Sequence, residues 1–180
     1  ILFAGGSEAS LSFVKSTNIE ADFVYDADGA FWLSSDLNFI PSVKITPSVR
    51  LCLGQTRLSQ PHLGFLWRPK NFLQLSSHVY SVFRLPSIQD RYWSGAGAQG
   101  NPDLVPESGW GSDIELLLTK EGLGLFSISF FGTSLKNAIM WGNDNGLRPV
   151  NLGKALSWGF DSQVKTSLAG PLNFRLFYSF

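Results

Sequence analysis

The feature that most constrains this chain is a two-residue alternation of apolar and polar side chains along most of its length. The clearest stretch is 71–85, and the same pattern returns at 30–40, 43–53, 156–168 and 172–180. Because successive side chains of a β-strand point to opposite faces, such stretches predict strands with one apolar and one polar face. No segment has a convincing helical period. The chain is therefore predicted to be all-β.

The predicted strands are joined by connections that sort by length. We place ten strands at 7–15, 18–26, 29–40, 43–54, 60–68, 71–85, 107–120, 122–141, 150–169 and 171–180. Short connections are expected at Ser16-Thr17, Pro41-Ser42, Pro69-Lys70, Glu121-Gly122 and Gly170-Pro171, and long ones at 86–106 and 142–149. With antiparallel strands, every long connection falls on one side. Short turns on one side and long loops on the other are typical of an antiparallel transmembrane β-barrel of the bacterial outer membrane.

Composition excludes several other classes of protein. Charged residues make up 16% of the chain, and 14 Lys and Arg balance 14 Asp and Glu, so no basic surface for nucleic acid is predicted. Cys52 is the only cysteine, which rules out an internal disulfide or a cysteine metal site. No apolar run approaches the ~18 residues of a membrane helix. A soluble β-sandwich binding module stays open as an alternative, since its core strands alternate in the same way.

Short motifs give no support to enzymatic chemistry. Residues 95–100 match G-x-G-x-x-G, but Pro102 and Pro106 follow where a nucleotide-binding motif needs a helix. The S-x-x-K matches at 12–15 and 162–165 lie on predicted strands, where residues three apart face opposite ways. His62 and His78 are the only histidines and belong to no zinc or triad spacing. We therefore predict no enzyme, no cofactor and no metal, with a barrel lipase using a lone Ser–His pair as the open alternative.

A family resemblance appears over about 80–180. The quoted elements are Phe83-Arg84-Leu85-Pro86-Ser87, Tyr92-Trp93, Gly100-Asn101-Pro102-Asp103-Leu104-Val105-Pro106-Glu107-Ser108, Ser129-Phe130-Phe131, Asn137-Ala138-Ile139, Asn151-Leu152-Gly153-Lys154-Ala155 and Gly159-Phe160-Asp161. Together they resemble the barrel of TonB-dependent outer-membrane receptors, with Asp161 where a Glu is usual. Before residue 80 the likeness is limited to the strand pattern.

The resemblance implies a fold and a function. It implies that residues 1–180 are a partial transmembrane barrel from the middle to late strands of a larger one of about 22, without the plug domain or the segment that engages the energy-coupling protein. It also implies TonB-dependent uptake of a scarce nutrient such as a siderophore–iron complex or cobalamin. The implied partners are outer-membrane lipid, a small nutrient and a TonB-type protein that acts through the missing N-terminal part. A complete small ten-stranded barrel, acting as a pore or adhesin, is the alternative.

Two sets of residues are expected to matter within that barrel. The first is expected to shape the connection between two strands, because its prolines fix extended or turn conformations and its acids can accept backbone N–H groups: Arg84, Pro86, Asn101, Pro102, Asp103, Pro106 and Glu107. The second is Arg91, Tyr92 and Trp93 in the long loop, a cation and two rings of the types enriched at binding hot spots. We expect these three to line the extracellular approach to a ligand.

Overall fold

Strands make up nearly all of the regular structure. A computed structural model of the chain describes residues 1–19, 24–54, 57–142, 146–167 and 173–180. Its elements, in chain order, are β1 (Leu2–Val14), β2 (Val24–Ile40), β3 (Val43–Leu53), β4 (Leu58–Lys70), β5 (Leu73–Arg84), α1 (Ile88–Tyr92), β6 (Ser94–Gly95), β7 (Ala98–Gln99), β8 (Glu107–Lys120), β9 (Gly124–Gly142), β10 (Arg148–Ser167) and β11 (Asn173–Ser179).

The main sheet has nine strands, and each pairs antiparallel with its neighbour along the chain. The order is β1-β2-β3-β4-β5-β8-β9-β10-β11, with β6 and β7 forming a separate small hairpin. Within the described residues the two edge strands, β1 and β11, do not pair with each other, so the sheet is open. Within the described residues, this sheet is a single layer without the second packed sheet that a β-sandwich requires, which fits barrel wall.

The two faces of the sheet differ in chemistry. One face carries large apolar side chains in exposed positions, among them Leu156 at 74% and Trp158 at 66% exposure. The other face carries the polar contacts, including the ion pair of Lys44 with Asp36 and the contact of His78 with Asp113. The predicted separation of apolar and polar residues onto two faces is thus present. We call these the apolar face and the polar face.

Within the described residues, the main sheet has one strand fewer than the ten predicted. The stretches 18–26 and 29–40 were expected to be separate strands. Instead, Gly29 pairs with Ala9 of β1 on one side and with Leu53 of β3 on the other. Hydrogen bonding on both sides holds this segment extended, so β2 continues through it.

Several connections keep their predicted separation by side, but one does not. The turns at 41–42, 71–72 and 121–123 lie at one end of the sheet, whereas the long connection 85–106 lies at the other. The link at Ser16-Thr17, predicted to be short, lies at the long-loop end, where Ile19 forms a bridge with Trp93. The expected turn at Gly170-Pro171 lies outside the described residues.

The one helix of the described part, α1, has five residues and had no counterpart in the sequence prediction. It forms because Ser87 and Asp90 make a capping box, in which each side chain bonds the backbone N–H of the other residue. A single turn is too short for a periodic pattern to reveal it. In the described residues, no helix has the length and apolar character needed to cross a membrane.

Candidate functional site

The long connection 85–106 folds back against the ends of β5, β8, β9 and β10, and it contributes to the small buried core. The buried apolar side chains include Leu104 of this loop and Ala138 and Ile139 of β9. The G-x-G-x-x-G match forms the β6–β7 hairpin, whose turn has positive φ at Ala96 (51°) and Gly97 (75°). Gly97 therefore serves a tight turn.

A carboxylate cluster ties the start and end of this loop together. Arg84 at the end of β5 donates from Nε and Nη2 to the two oxygens of Glu107, at 2.9 and 2.8 Å. The same guanidinium reaches Asp90 of α1 at 3.3 Å. Glu107 also accepts the backbone N–H of Ile139 at 2.6 Å, and the indole of Trp141 donates to Asp90 at 3.2 Å. One cation and two buried acids thus connect β5, α1, β8 and β9.

The electrostatics of Asp90 follow from these contacts. Burial raises the pKa of its carboxyl, but the N–H and hydroxyl of Ser87, the Trp141 indole and the positive charge of Arg84 act in the opposite sense and outweigh burial. The pKa of Asp90 is therefore held below its ordinary value. The carboxylate is needed in its charged form, because it accepts hydrogen bonds from four groups.

Two asparagines fasten the second half of the loop. Asn101 donates to the carbonyl of Pro149 at 3.1 Å. Asn151 of β10 exchanges two bonds with the backbone of Val105, at 2.9 and 2.8 Å, and donates to the carbonyl of Asn137 at 2.8 Å. Each amide satisfies backbone groups that no strand partner reaches. The loop is thereby held to β9 and β10 along its length.

The other residues expected to shape the connection differ in their surroundings. Pro86 is buried, Pro106 is half-buried and Pro102 is exposed. Asp103 is exposed, and its backbone N–H donates to the Asn101 side chain at 3.2 Å. Its carboxylate has no hydrogen-bond partner among the described residues, so the expected acceptor role is present at Glu107 and absent at Asp103.

The three residues expected to line a ligand approach lie together on and just after α1. The side chain of Arg91 is only 10% exposed and pairs with Asp26 of β2 at 2.5 Å. Its guanidinium also lies 5.1 Å from the ring centroid of Tyr92. Trp93 is half-buried and donates from its indole to the carbonyl of Gly95 at 3.2 Å. Ligand contact by these residues stays a prediction, and the Arg91 charge already has an intramolecular partner.

Sequence reasoning missed Asp90, Asp26 and Trp141 as members of this arrangement. The spacing Ser87-x-x-Asp90 is a capping signal that would have identified Asp90. Asp26 lies 65 residues from Arg91, and Trp141 lies 51 residues from Asp90. No local pattern predicts contacts at such distances along the chain.

A second polar group lies on the polar face of the sheet and contains both histidines. His78 contacts Asp113 at 2.7 Å, and His62 contacts the hydroxyl of Ser48 at 3.2 Å. The two imidazoles stack with centroids 5.5 Å apart. The Asp113 carboxylate therefore orients His78, whereas Ser48 contacts His62. These four side chains do not form a serine–histidine–acid triad, because the serine and the acid contact different histidines. Among the described residues, no group of three potential ligands could hold a metal ion.

Comparison with known proteins identifies the architecture. Residues 9–180 match the family described as TonB dependent receptor-like, beta-barrel. No curated protein matches the sequence. The siderophore receptor PirA of Pseudomonas aeruginosa has a similar structure, with a TM-score of 0.86 and 17% identity over 99% of this chain and 36% of that one. The ferric enterobactin receptor PfeA of the same species gives 0.82 and 16%, over 98% and 33%.

A more distant solved structure is the FrpB iron transporter of Neisseria meningitidis, with a TM-score of 0.67 and 15% identity over 86% of this chain and 25% of that one. The chain thus spans about a third of the length of the first two solved receptors that it matches. The open antiparallel sheet of nine strands agrees with the matched family. This chain therefore belongs to the TonB-dependent receptor-like β-barrel family, and its strands form a segment of such a barrel wall.

Proposed function

We propose that this chain is part of the wall of a bacterial outer-membrane receptor that takes up a scarce nutrient, with a ferric siderophore as the first candidate. The observation that carries the proposal is the separation of the two faces of the sheet. Exposed Phe, Leu and Trp side chains cover one face, which suits lipid, while charged and hydrogen-bonded side chains cover the other, which suits an aqueous interior. Solved receptors of similar structure are named for siderophores and iron.

The remaining partners belong to the whole receptor. We place outer-membrane lipid against the apolar face, a plug domain against the polar face, and a TonB-type energy-coupling protein on a part of the receptor outside this chain. Residues 1–180 then act as one barrel domain. The uptake function requires all of these parts, because a barrel wall by itself has no element that receives force.

The docked loop is the first place to look for ligand contact. We propose that Tyr92 and Trp93 present their rings to the extracellular approach and that Arg91 positions them through Asp26. The Arg91 contact at 5.1 Å from the Tyr92 ring supports this division of roles. Arg91→Ala is then expected to loosen the loop, whereas Tyr92→Ala and Trp93→Ala should weaken ligand binding in folded protein.

Transport tests the proposal directly. A strain lacking the full-length receptor should lose growth on a ferric siderophore as sole iron source, and the intact gene should restore it. Parallel feeding with cobalamin and with several siderophore classes would identify the substrate. Binding titrations on purified receptor would then compare the Tyr92 and Trp93 variants with Gln99→Ala, an exposed change in the same loop. Unchanged uptake of every nutrient in the deletion strain would contradict the proposed function.

A further inference from the structure

The charges of the apolar face have only one sign. Every acid of the described strands lies on the polar face: Glu8, Asp26, Asp28, Asp36, Glu107, Asp113, Glu115 and Asp161. The apolar face does carry lysines, and two of them, Lys136 of β9 and Lys154 of β10, are direct partners in the antiparallel register. Side chains in such a position have Cβ atoms roughly 4.5–5.5 Å apart.

Two like charges directly opposite each other destabilise a sheet unless something compensates them. Both lysines are exposed, and among the described residues neither ammonium group has an ion pair or a hydrogen bond. Their long stems are flexible, so both ammonium groups can converge on one anion. Among the described residues, no acidic group on the apolar face neutralises the two positive charges of this lysine pair.

The register fixes the height of this pair on the barrel wall. At the short-turn end of the same face, Lys120 pairs with Gly124, and β9 then runs twelve residues up to Lys136. At ~3.4 Å per residue and a tilt of about 40°, twelve residues rise roughly 30 Å, close to the ~25 Å apolar band of an outer-membrane barrel. Between these levels the apolar face of β9 is free of charge. The two lysines thus mark the upper edge of the band.

Aromatic residues support the same placement. Trp110 pairs with Ser134, two residues below Lys136, and Trp158 pairs with Gly132, four residues below. Both indoles are exposed on the apolar face. Tryptophan is enriched where hydrocarbon meets headgroups, so the lysine pair lies at headgroup level on the long-loop side.

We propose that Lys136 and Lys154 form a binding site for the phosphate of a membrane-lipid headgroup. The inference rests on the proposed function only in requiring that the apolar face meets lipid. A lipid fits better than a free anion because exposed Leu156 and Trp158 lie directly below the lysines on the same face and offer a surface for acyl chains. The phosphate then neutralises both ammonium groups while the chains cover the apolar wall.

The test uses the full-length receptor in a phosphate-free detergent, with bis-phosphorylated lipid A as the probe. The double variant Lys136→Gln/Lys154→Gln should raise the Kd for this lipid by about 30-fold, since each lysine near an anionic lipid surface supplies about a fivefold factor. Lys120→Gln, which removes a lysine from the other end of the same face, is the matched control and should leave the Kd unchanged. Lys136→Arg/Lys154→Arg should retain binding. Heat-modifiable gel migration would verify the fold of each variant.

Two further arms identify the source of the phosphate. Enzymatically dephosphorylated lipid A should bind the wild-type receptor as weakly as intact lipid A binds the double variant. Inorganic phosphate should not displace the lipid. Equal Kd values for the wild type and the double variant would overturn the site, and displacement by inorganic phosphate would overturn its assignment to a lipid.

Quenching of tryptophan fluorescence by brominated lipid tests whether the apolar face meets lipid, independently of the lysine site. The wild-type receptor should lose more fluorescence than its Trp158→Phe variant, because the Trp158 indole meets acyl chains. Quenching of Trp158 together with an unchanged Kd in the double variant would reject the lysine site alone. No quenching difference would reject the lipid-facing assignment on which the proposed function depends.

Discussion

The Glu107 carboxylate is the contact whose removal should most clearly release the docked loop. Glu107→Ala deletes both acceptors of Arg84 and the acceptor of the buried Ile139 N–H. Leaving that N–H unsatisfied costs about 1–3 kcal/mol. The ion pair adds at most about 1 kcal/mol, because the Arg84 side chain is 47% exposed and solvent screens it. The expected loss of local stability is about 1–4 kcal/mol.

Hydrogen exchange on the full-length receptor measures this loss where it occurs. A drop of that size should accelerate exchange of the β9 segment containing Ile139 by about fivefold to several hundredfold. Glu115→Ala is the matched control, since Glu115 lies on the same strand and face and its carboxylate has no partner among the described residues. That control should change the rate by less than about threefold. Equal exchange in the two variants would refute the role assigned to the Glu107 carboxylate.

Three further outcomes follow from the register, the packing and the titration of Asp90. Ile114 lies midway along the apolar band, whereas Leu176 lies near its short-turn edge. In a refolding titration in lipid vesicles, Ile114→Arg should therefore lower the free energy of unfolding by ~2–4 kcal/mol and Leu176→Arg by ~1 kcal/mol or less. The reverse order would contradict the assigned heights. A Cβ at Gly109 would lie 2.0 Å from the carbonyl oxygen of Ser134, while one at Gly153 meets nothing within 4 Å. Gly109→Ala should therefore lower the thermal midpoint by overpacking that costs about 1–3 kcal/mol, and Gly153→Ala should not. Because the pKa of Asp90 is lowered in the folded state, its contribution to loop docking should be complete above the ordinary carboxyl pKa of ~3.9 and lost as the pH falls below it; limited proteolysis across that range checks this, and Asp90→Asn should reduce the pH dependence, leaving the part that comes from the Glu107 carboxylate paired with the same Arg84.

The strands were predictable because the two environments of a barrel wall impose a local pattern. A residue such as Leu75 must match one environment, and its neighbour Ser76 must match the other, so the alternation is written into adjacent positions. The sides of the long connections were predictable for the same reason, because antiparallel strands reverse direction at each turn. The exception was the predicted break between 26 and 29, where pairing of Gly29 with two neighbouring strands keeps the chain extended.

The site was predictable only in part. Residues Arg84, Asn101 and Glu107 were identified through the resemblance, and the structure shows that they contact the ends of several strands. Their partners were not identifiable, since Trp141 and Pro149 lie far along the chain from the groups that they contact. Arg91 shows the same limit, because its partner Asp26 belongs to β2 and removes much of the freedom expected of a ligand-binding cation.

The sequence by itself determined the class of fold, because a strand exposed to two solvents must alternate residue by residue. The tertiary structure decided which strands are continuous, how the loop 85–106 is fastened, and which charges meet. The physical reason is the register of the strands, because pairing across strands brings Lys136 opposite Lys154 and His78 opposite Asp113. The spacing of these residues along the chain predicts neither contact. Contacts of this kind depend on the whole sheet being formed.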